Sequence, residues 1–266
     1  MSIRIGNQTA HSAMTVTQPF EYAVANGFDA FEWFPDQNSS GIGWTENDIS
    51  GELRTYIKNT ALVYDIALFV HASWKFNPLK AEAYELLQRS IKFAEDIGAS
   101  LLNIHLYSEE ELNTFAESII SLIEGLPGRI RLSIENTPDT RPEDFNELFR
   151  YLRNTYLENS TRIGMCLDLG HANLCNTTRN DYLKFFDRLD QEVPIIHMHM
   201  HENYGDSDTH LTLFTGPAGK DPSGIKGLID RIKRRNFSGS MILEQWPQPE
   251  GLLVEARNRL LKMIGK

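Results

Sequence analysis

The stretch IIHMHMHENYGDSDTH, residues 195–210, carries His197, His199 and His201 at alternate positions, with Asp208 and His210 shortly after. A spacing of two puts side chains on one face of an extended strand, so three imidazoles point the same way. Imidazole mixed with carboxylate suits a divalent cation such as Zn, Mn, Co or Fe, and a thiolate-built structural zinc site does not fit. The chain has two cysteines, Cys166 and Cys175, and they form no CxxC pair. Cys166 lies inside an apolar strand pattern and reads as core. If Ile196, Met198 and Met200 face outward, the three histidines face an interior. His197 is then the deepest and bonds a neighbour, His199 is the leading metal ligand, and His201 with Glu202 opens the following loop. Asp208 and His210 return from that loop.

A metal site needs ligands from elsewhere in the chain, so the elements that could deliver them matter. Short apolar runs rich in β-branched residues recur at 2–6, 28–34, 66–72, 100–106, 129–136, 162–170, 194–201 and 240–246. Amphipathic segments of helical period lie between them, such as AEAYELLQRSIKFAEDIG (81–98) and EDFNELFRYLRNTY (143–156). Gly27 and Gly98 stand where helix C-termini need a left-handed residue. Eight strands alternating with helices and no Pro/Gly/Ser-rich linker predict one (β/α)8 barrel domain over residues 1–266. An open doubly wound sheet needs fewer strands, and no GxGxxG follows any of these.

Composition agrees with a globular protein that can bury a sizeable core. The 266 residues are 41% hydrophobic and 23% charged, with a net charge of −10. No apolar run reaches the roughly 18 residues of a membrane span. MSIRIGNQTA has no secretory signal pattern, so a cytoplasmic location is expected. The acidic balance argues against a polyanionic partner.

Barrels of this kind work at the C-terminal ends of their strands. Those ends supply His71, His105, Glu135, Asp168 with His171, His199, Asp208 with His210, and Glu244. Taken singly, a strand-end histidine is most often hydrogen-bonded structure. Nine imidazoles and carboxylates on one rim are different, because clustered carboxylates repel and a cation relieves them.

VHASWKFNP, LLNIH, LSIENT, CLDLGHANL, HMHENYGDSDTHL and MILEQW resemble, in order and spacing, the xylose isomerase-like TIM barrels. That superfamily includes endonuclease IV (AP endonuclease family 2) and many sugar isomerases and epimerases. The likeness to the sugar enzymes implies one divalent ion on Glu135, Asp168, His199 and Glu244. Glu135 and Glu244 would then be the proton-transfer groups, with His171 and Glu32 contacting substrate. The likeness to endonuclease IV implies up to three ions, with His71, His105, His171, Asp208 and His210 as further ligands and a phosphodiester as substrate. A barrel that binds a metal or sugar without catalysis is a third class.

The surroundings favour the sugar reading. A duplex requires a cationic rim, whereas the loops PDQNSSGIGWTEND, YSEEE and TPDTRPED are acidic and set against few cations, such as Lys75, Lys80 and Lys220. Lys233, Arg234 and Arg235 end a helix on the opposite face. Trp33, Trp74 and Trp246 follow strand ends and, with Trp44 and His201, are expected to line the mouth against a sugar face. NSSGIGWTEND (38–48) is a candidate lid, and TGPAGKDPSG (215–224) a weak candidate for holding a phosphate at a helix N-terminus. The expected partner is a small carbohydrate rather than a nucleic acid. A homo-oligomer is compatible with the sequence, although no interface is legible.

Overall fold

The structure, a computed structural model, describes residues 2–10, 12–38, 40–80, 83–107, 112–156 and 160–265. Eight parallel strands close into a barrel in sequence order: β1 (Ile3–Gln8), β2 (Ala30–Trp33), β3 (Ala67–His71), β4 (Leu101–His105), β5 (Arg131–Glu135), β6 (Ile163–Asp168), β7 (Ile195–Met200) and β8 (Gly239–Leu243). Helices α1 (Gln18–Ala25), α2 (Gly51–Val63), α3 (Tyr84–Ile97), α4 (Leu112–Gly125) and α5 (Pro142–Thr155) connect the first six strands. Two helices follow β6, α6 (Leu169–Leu174) and α7 (Tyr182–Asp187), and two follow β7, α8 (Pro217–Lys220) and α9 (Ser223–Arg234); α10 (Gly251–Ile264) ends the chain. The predicted single (β/α)8 barrel is therefore present. Among the described residues no helix is long and apolar enough to cross a membrane.

Local chemistry sets the boundaries. Ser50 Oγ accepts Leu53 N at the start of α2, Pro142 occupies the first turn of α5, and Gly98 ends α3 at φ 76°. Each strand turns alternate residues outward onto the helices, which builds one continuous apolar layer around the sheet. The inward residues are unusual. A small plug of Ala30, Phe69, Leu101, Ile196 and Ile242 fills the lower barrel, and above it the interior is polar.

Two sequence expectations need correction here. Ile196 faces the barrel axis rather than the helices. The β6–β7 register shifts, with Met165 opposite Ile195 and Cys166 opposite His197. That bulge turns Ile196 and His197 to the same side before the alternation resumes. Trp33 does not line the mouth. It is fully buried outside the barrel wall, between Phe20, Phe31, Trp44 and Phe93 at ring separations of 5.6, 5.0, 5.8 and 5.9 Å. Trp44 is buried in the same cluster. Trp33→Ala is expected to lower stability by about 3–5 kcal/mol through the cavity it leaves. Chemical denaturation measures this; an unchanged midpoint would return Trp33 to the surface.

Candidate metal centre

Glu135, Asp168, His199 and Glu244 come from β5, β6, β7 and the residue after β8, and they meet at the C-terminal mouth. His199 Nδ1 lies 3.2 Å from Glu135 Oε2, 3.1 Å from Glu244 Oε1 and 3.8 Å from Asp168 Oδ2. His71 Nε2 and His105 Nε2 approach Glu135 from the other side at 3.0 and 3.6 Å. On a third side His171 Nε2 and His210 Nε2 share Asp208 Oδ2 at 3.2 and 3.0 Å. All nine strand-end groups thus converge, and Glu135 touches imidazoles of every subset, since His171 Nδ1 is 3.3 Å from its Oε1.

The supporting contacts explain how each group is aimed. His71 Nδ1 donates to the Ala72 carbonyl at 2.6 Å and His171 Nδ1 to the Asn136 carbonyl at 2.9 Å, which leaves both Nε2 lone pairs facing the carboxylates. Asp168 Oδ1 accepts His171 N at 2.6 Å, capping α6, so the positive helix end favours its ionised form. Asn136 and Asp168 exchange two bonds, of 3.0 and 2.8 Å, that tie β5 to β6. After β7, Glu202 and Leu211 form a two-way backbone bridge at 2.9 and 2.8 Å. That bridge closes the loop and carries Asp208 and His210 back over the mouth, with His210 in the left-handed region at φ 44°.

The donor set fits a divalent cation. Both nitrogens of the buried His199, and Glu244 Oε2, have no in-line hydrogen-bond partner although oppositely charged groups stand close by. Buried polar atoms rarely remain unpaired, and neutral imidazole beside carboxylate is the ligand chemistry of Zn, Mn and Co. Nine donors exceed the four to six that one such ion takes.

Electrostatics divides the carboxylates. Burial pushes Glu135 up, but the charges of His199 and His105 and the bonds from His105 and His171 bring it well below its ordinary value. Burial likewise opposes Asp168 and Asp208, yet their histidine neighbours hold both low. Glu244 goes the other way: burial and the charge of Asp168 raise it, only partly offset by His199, His210 and His201.

Several residues sit where the sequence did not put them. His201 is expected as a substrate contact but is 1% exposed. Its Nε2 lies 3.1 Å from both Asp168 oxygens, and its ring stacks on His210 at 3.9 Å. Glu32, also read as a substrate contact, is fully buried below His199. Cys166 is buried as expected, and it lies beside His197 and His199. Within the segment 215–224, the amides of Gly216 and Ala218 at the start of α8 are taken by the Glu202 carboxylate at 3.1 and 2.6 Å, and the Ser223 amide at the start of α9 by Asp221 Oδ1 at 3.0 Å. Gln8, whose Nε2 donates to Glu244 Oε1 at 2.6 Å, was missed because β1 runs two residues past the predicted Gly6. Asn103, which donates to Glu135 Oε2, was missed too; its inward position in LLNIH was the available signal. Trp74 is 53% exposed on the loop after β3, and Trp246 walls a mouth cavity of about 410 Å³.

Gly170 is required by close approach. A Cβ there falls 1.9 Å from His201 Cε1 and 2.4 Å from its Nδ1. Gly170→Ala is expected to fold but to push His201 off Asp168, weakening zinc affinity about 10–100-fold in a chelator competition. Wild-type affinity in that variant would show that His201 does not support the site.

Fold and site together define a (β/α)8 barrel with a carboxylate and imidazole centre at its strand ends. The chain matches the model of the family described as xylose isomerase-like TIM barrel over residues 20–263, and it belongs to that family. It is 22% identical over 205 residues to the uncharacterized protein MJ1311 of Methanocaldococcus jannaschii, covering 68% of this chain and 65% of that one. The chain thus spans just under two thirds of the length of that relative. Among solved structures, endonuclease IV from Thermus thermophilus superposes with a TM-score of 0.65 at 19% identity, covering 97% of this chain and 99% of that one. A xylose isomerase domain containing protein from Salmonella typhimurium gives 0.69 at 16%, covering 99% and 97%. At these identities the likeness establishes the fold.

Proposed function

We propose that the chain is a divalent-metal-dependent isomerase or epimerase acting on a sugar, sugar phosphate or related polyol-keto compound. The observation that carries this reading is the mouth cavity of about 410 Å³, whose lining includes Glu244 and His210 together with the aromatic Phe34 and Trp246. That volume is of small-molecule size. Thr9, Thr212 and Gln245 add polar groups suited to hydroxyls. Two cations of the mouth loops are engaged: Lys75 Nζ donates to the Gln37 carbonyl at 3.0 Å, and Arg141 pairs with Asp144 at 2.7 Å.

Glu135, Asp168, His199 and Glu244 would hold the ion, of Zn, Mn or Co type, which when bound polarises substrate oxygens and acidifies the neighbouring C–H bond. Glu135 and Glu244, which approach His199 Nδ1 at 3.2 and 3.1 Å from β5 and from the end of β8, are the carboxylates suited to take that proton and return it. His171 Nε2 offers a contact to a substrate oxygen. Incubation with a panel of aldoses, ketoses and their phosphates in heavy water tests the reading. Metal-dependent conversion with solvent deuterium at carbon is expected, and no exchange across the panel would refute it.

A second reading has its own observation. The complete nine-group set, with Glu135 shared between subsets, favours two or three ions and phosphodiester hydrolysis in the manner of endonuclease IV. Cleavage of duplex DNA at an abasic site would select it over the sugar reading.

A further inference from the structure

Beneath the ligand rim lies a run of buried polar groups that the proposed chemistry leaves unused. Ser240 Oγ is 2.6 Å from His197 Nδ1, His197 Nε2 is 3.1 Å from Glu32 Oε1, and Glu32 Oε2 is 2.9 Å from His199 Nε2. Ser240 is 3% exposed and the other three are fully buried. Glu32 Oε2 and His199 Nε2 have no in-line hydrogen-bond partner, although they stand within bonding distance of each other. Two buried orphans at that separation satisfy one another with a small turn of the ring.

We propose that Glu32 is a positioning residue: it claims the Nε2 proton of His199 and so dedicates Nδ1 to the divalent ion, with His197 and Ser240 fixing Glu32 from below. The inference rests on the metal reading of the rim. A neutral imidazole carries one proton, and the nitrogen that bears it cannot be a ligand. A carboxylate at Nε2 favours the Nε2–H tautomer, which leaves the Nδ1 lone pair facing Glu135, Asp168 and Glu244. It also raises the strength of the ring as a ligand, as carboxylates behind metal-bound histidines generally do. The Glu32 carboxylate lies between the two rings, with His197 Nε2 at 3.1 Å on one oxygen and His199 Nε2 at 2.9 Å on the other. His197 has one nitrogen for Glu32 and one for Ser240, so its bonding capacity is filled and the Glu32 carboxylate is held at a fixed angle. The polar interior layer thus has a task, and His197, which faces inward in step with His199, is its middle member.

Cobalt and zinc binding test this on the wild type, Glu32→Gln, Glu32→Asp and Ser240→Ala. Glu32→Gln is expected to raise the dissociation constant about 10–100-fold, to shift the visible cobalt absorption, and to abolish the Nε2–H signal of His199 in long-range ¹H–¹⁵N spectra of the zinc form. Glu32→Asp retains the charge and should restore that tautomer and most of the affinity. Wild-type affinity, absorption and tautomer in Glu32→Gln would overturn the inference. If circular dichroism shows Glu32→Gln unfolded, Ser240→Ala carries the test, with a smaller loss of affinity expected and no loss overturning it. Wild-type protein that takes up no cobalt would bring down the metal reading itself, and the inference with it.

Discussion

Glu244→Gln is expected to reduce turnover by about 10²–10⁴-fold, the usual contribution of a placed acid or base, while leaving the barrel folded. The amide has the shape of the carboxyl but neither accepts nor gives up a proton at neutral pH. Gln8 already orients Oε1 at 2.6 Å, and Oε2 faces the site without an in-line partner, so the substitution creates no steric conflict. Glu244 stands 3.1 Å from His199 Nδ1 and borders the mouth cavity, so it is placed both to touch the ion and to reach substrate. Parallel measurement of metal content and of kcat on the isomerised sugar separates loss of chemistry from loss of the ion. Undiminished kcat with metal retained would remove Glu244 from the mechanism.

Stripping the ion is expected to abolish turnover, with Zn, Mn or Co restoring it, and to reverse how stability responds to pH. In the ion-free protein His171 and His199 are raised well above their ordinary values and His210 to about 9, because the acidic groups around them, the Cys166 thiol and then the carboxylates for His199 and carboxylates for the other two, outweigh the cost of burial. A histidine raised on folding stabilises fully below its unfolded value of about 6.5, and that contribution is lost as pH climbs through the folded value. Ion-free protein should therefore melt progressively lower from pH 6.5 to pH 9. The loaded protein needs these imidazoles neutral, so its affinity for the ion rises over the same range. Free ion at 100 times the dissociation constant stabilises by about 2.7 kcal/mol. Calorimetry with and without chelator at pH 6.5, 7.5 and 9 should show the two melting curves moving apart. Curves that stay parallel would mean that the histidines do not exchange protons for an ion.

The barrel and the rim were legible because they depend on period and order. Alternation marks strands, strand ends mark the mouth, and Glu135, Asp168, His199 and Glu244 each stand at such an end. What the sequence hid depends on register and on depth. Strict alternation placed Ile196 outside, and only the bulge opposite Met165 and Cys166 turns it in. Trp33 follows Glu32, so alternation along β2 should have sent it outward onto the helices; aromatic character at a strand end was the misleading cue. Glu32 and His201 have the right chemistry for substrate but lie behind other ligands, a matter of layers that a one-dimensional pattern does not carry. Gln8 escaped because β1 was ended too early, at the glycine whose Cβ would fall 2.3 Å from the Ala30 carbonyl oxygen. The expected acidic loop YSEEE falls largely outside the described residues, and so does Ser39 of the candidate lid. Within that lid Asn38 Oδ1 accepts Ile42 N at 3.1 Å, and Trp44 anchors its far end in the core.

Metal content of the purified protein, read by plasma mass spectrometry beside a Glu135→Ala, Asp168→Ala double variant, tests the central claim most directly. The convergence of nine donor groups at one mouth predicts one to three equivalents of Zn, Mn or Co per chain in the wild type, and fewer in the variant. A wild-type chain that remains metal-free after dialysis against each of these ions would contradict it.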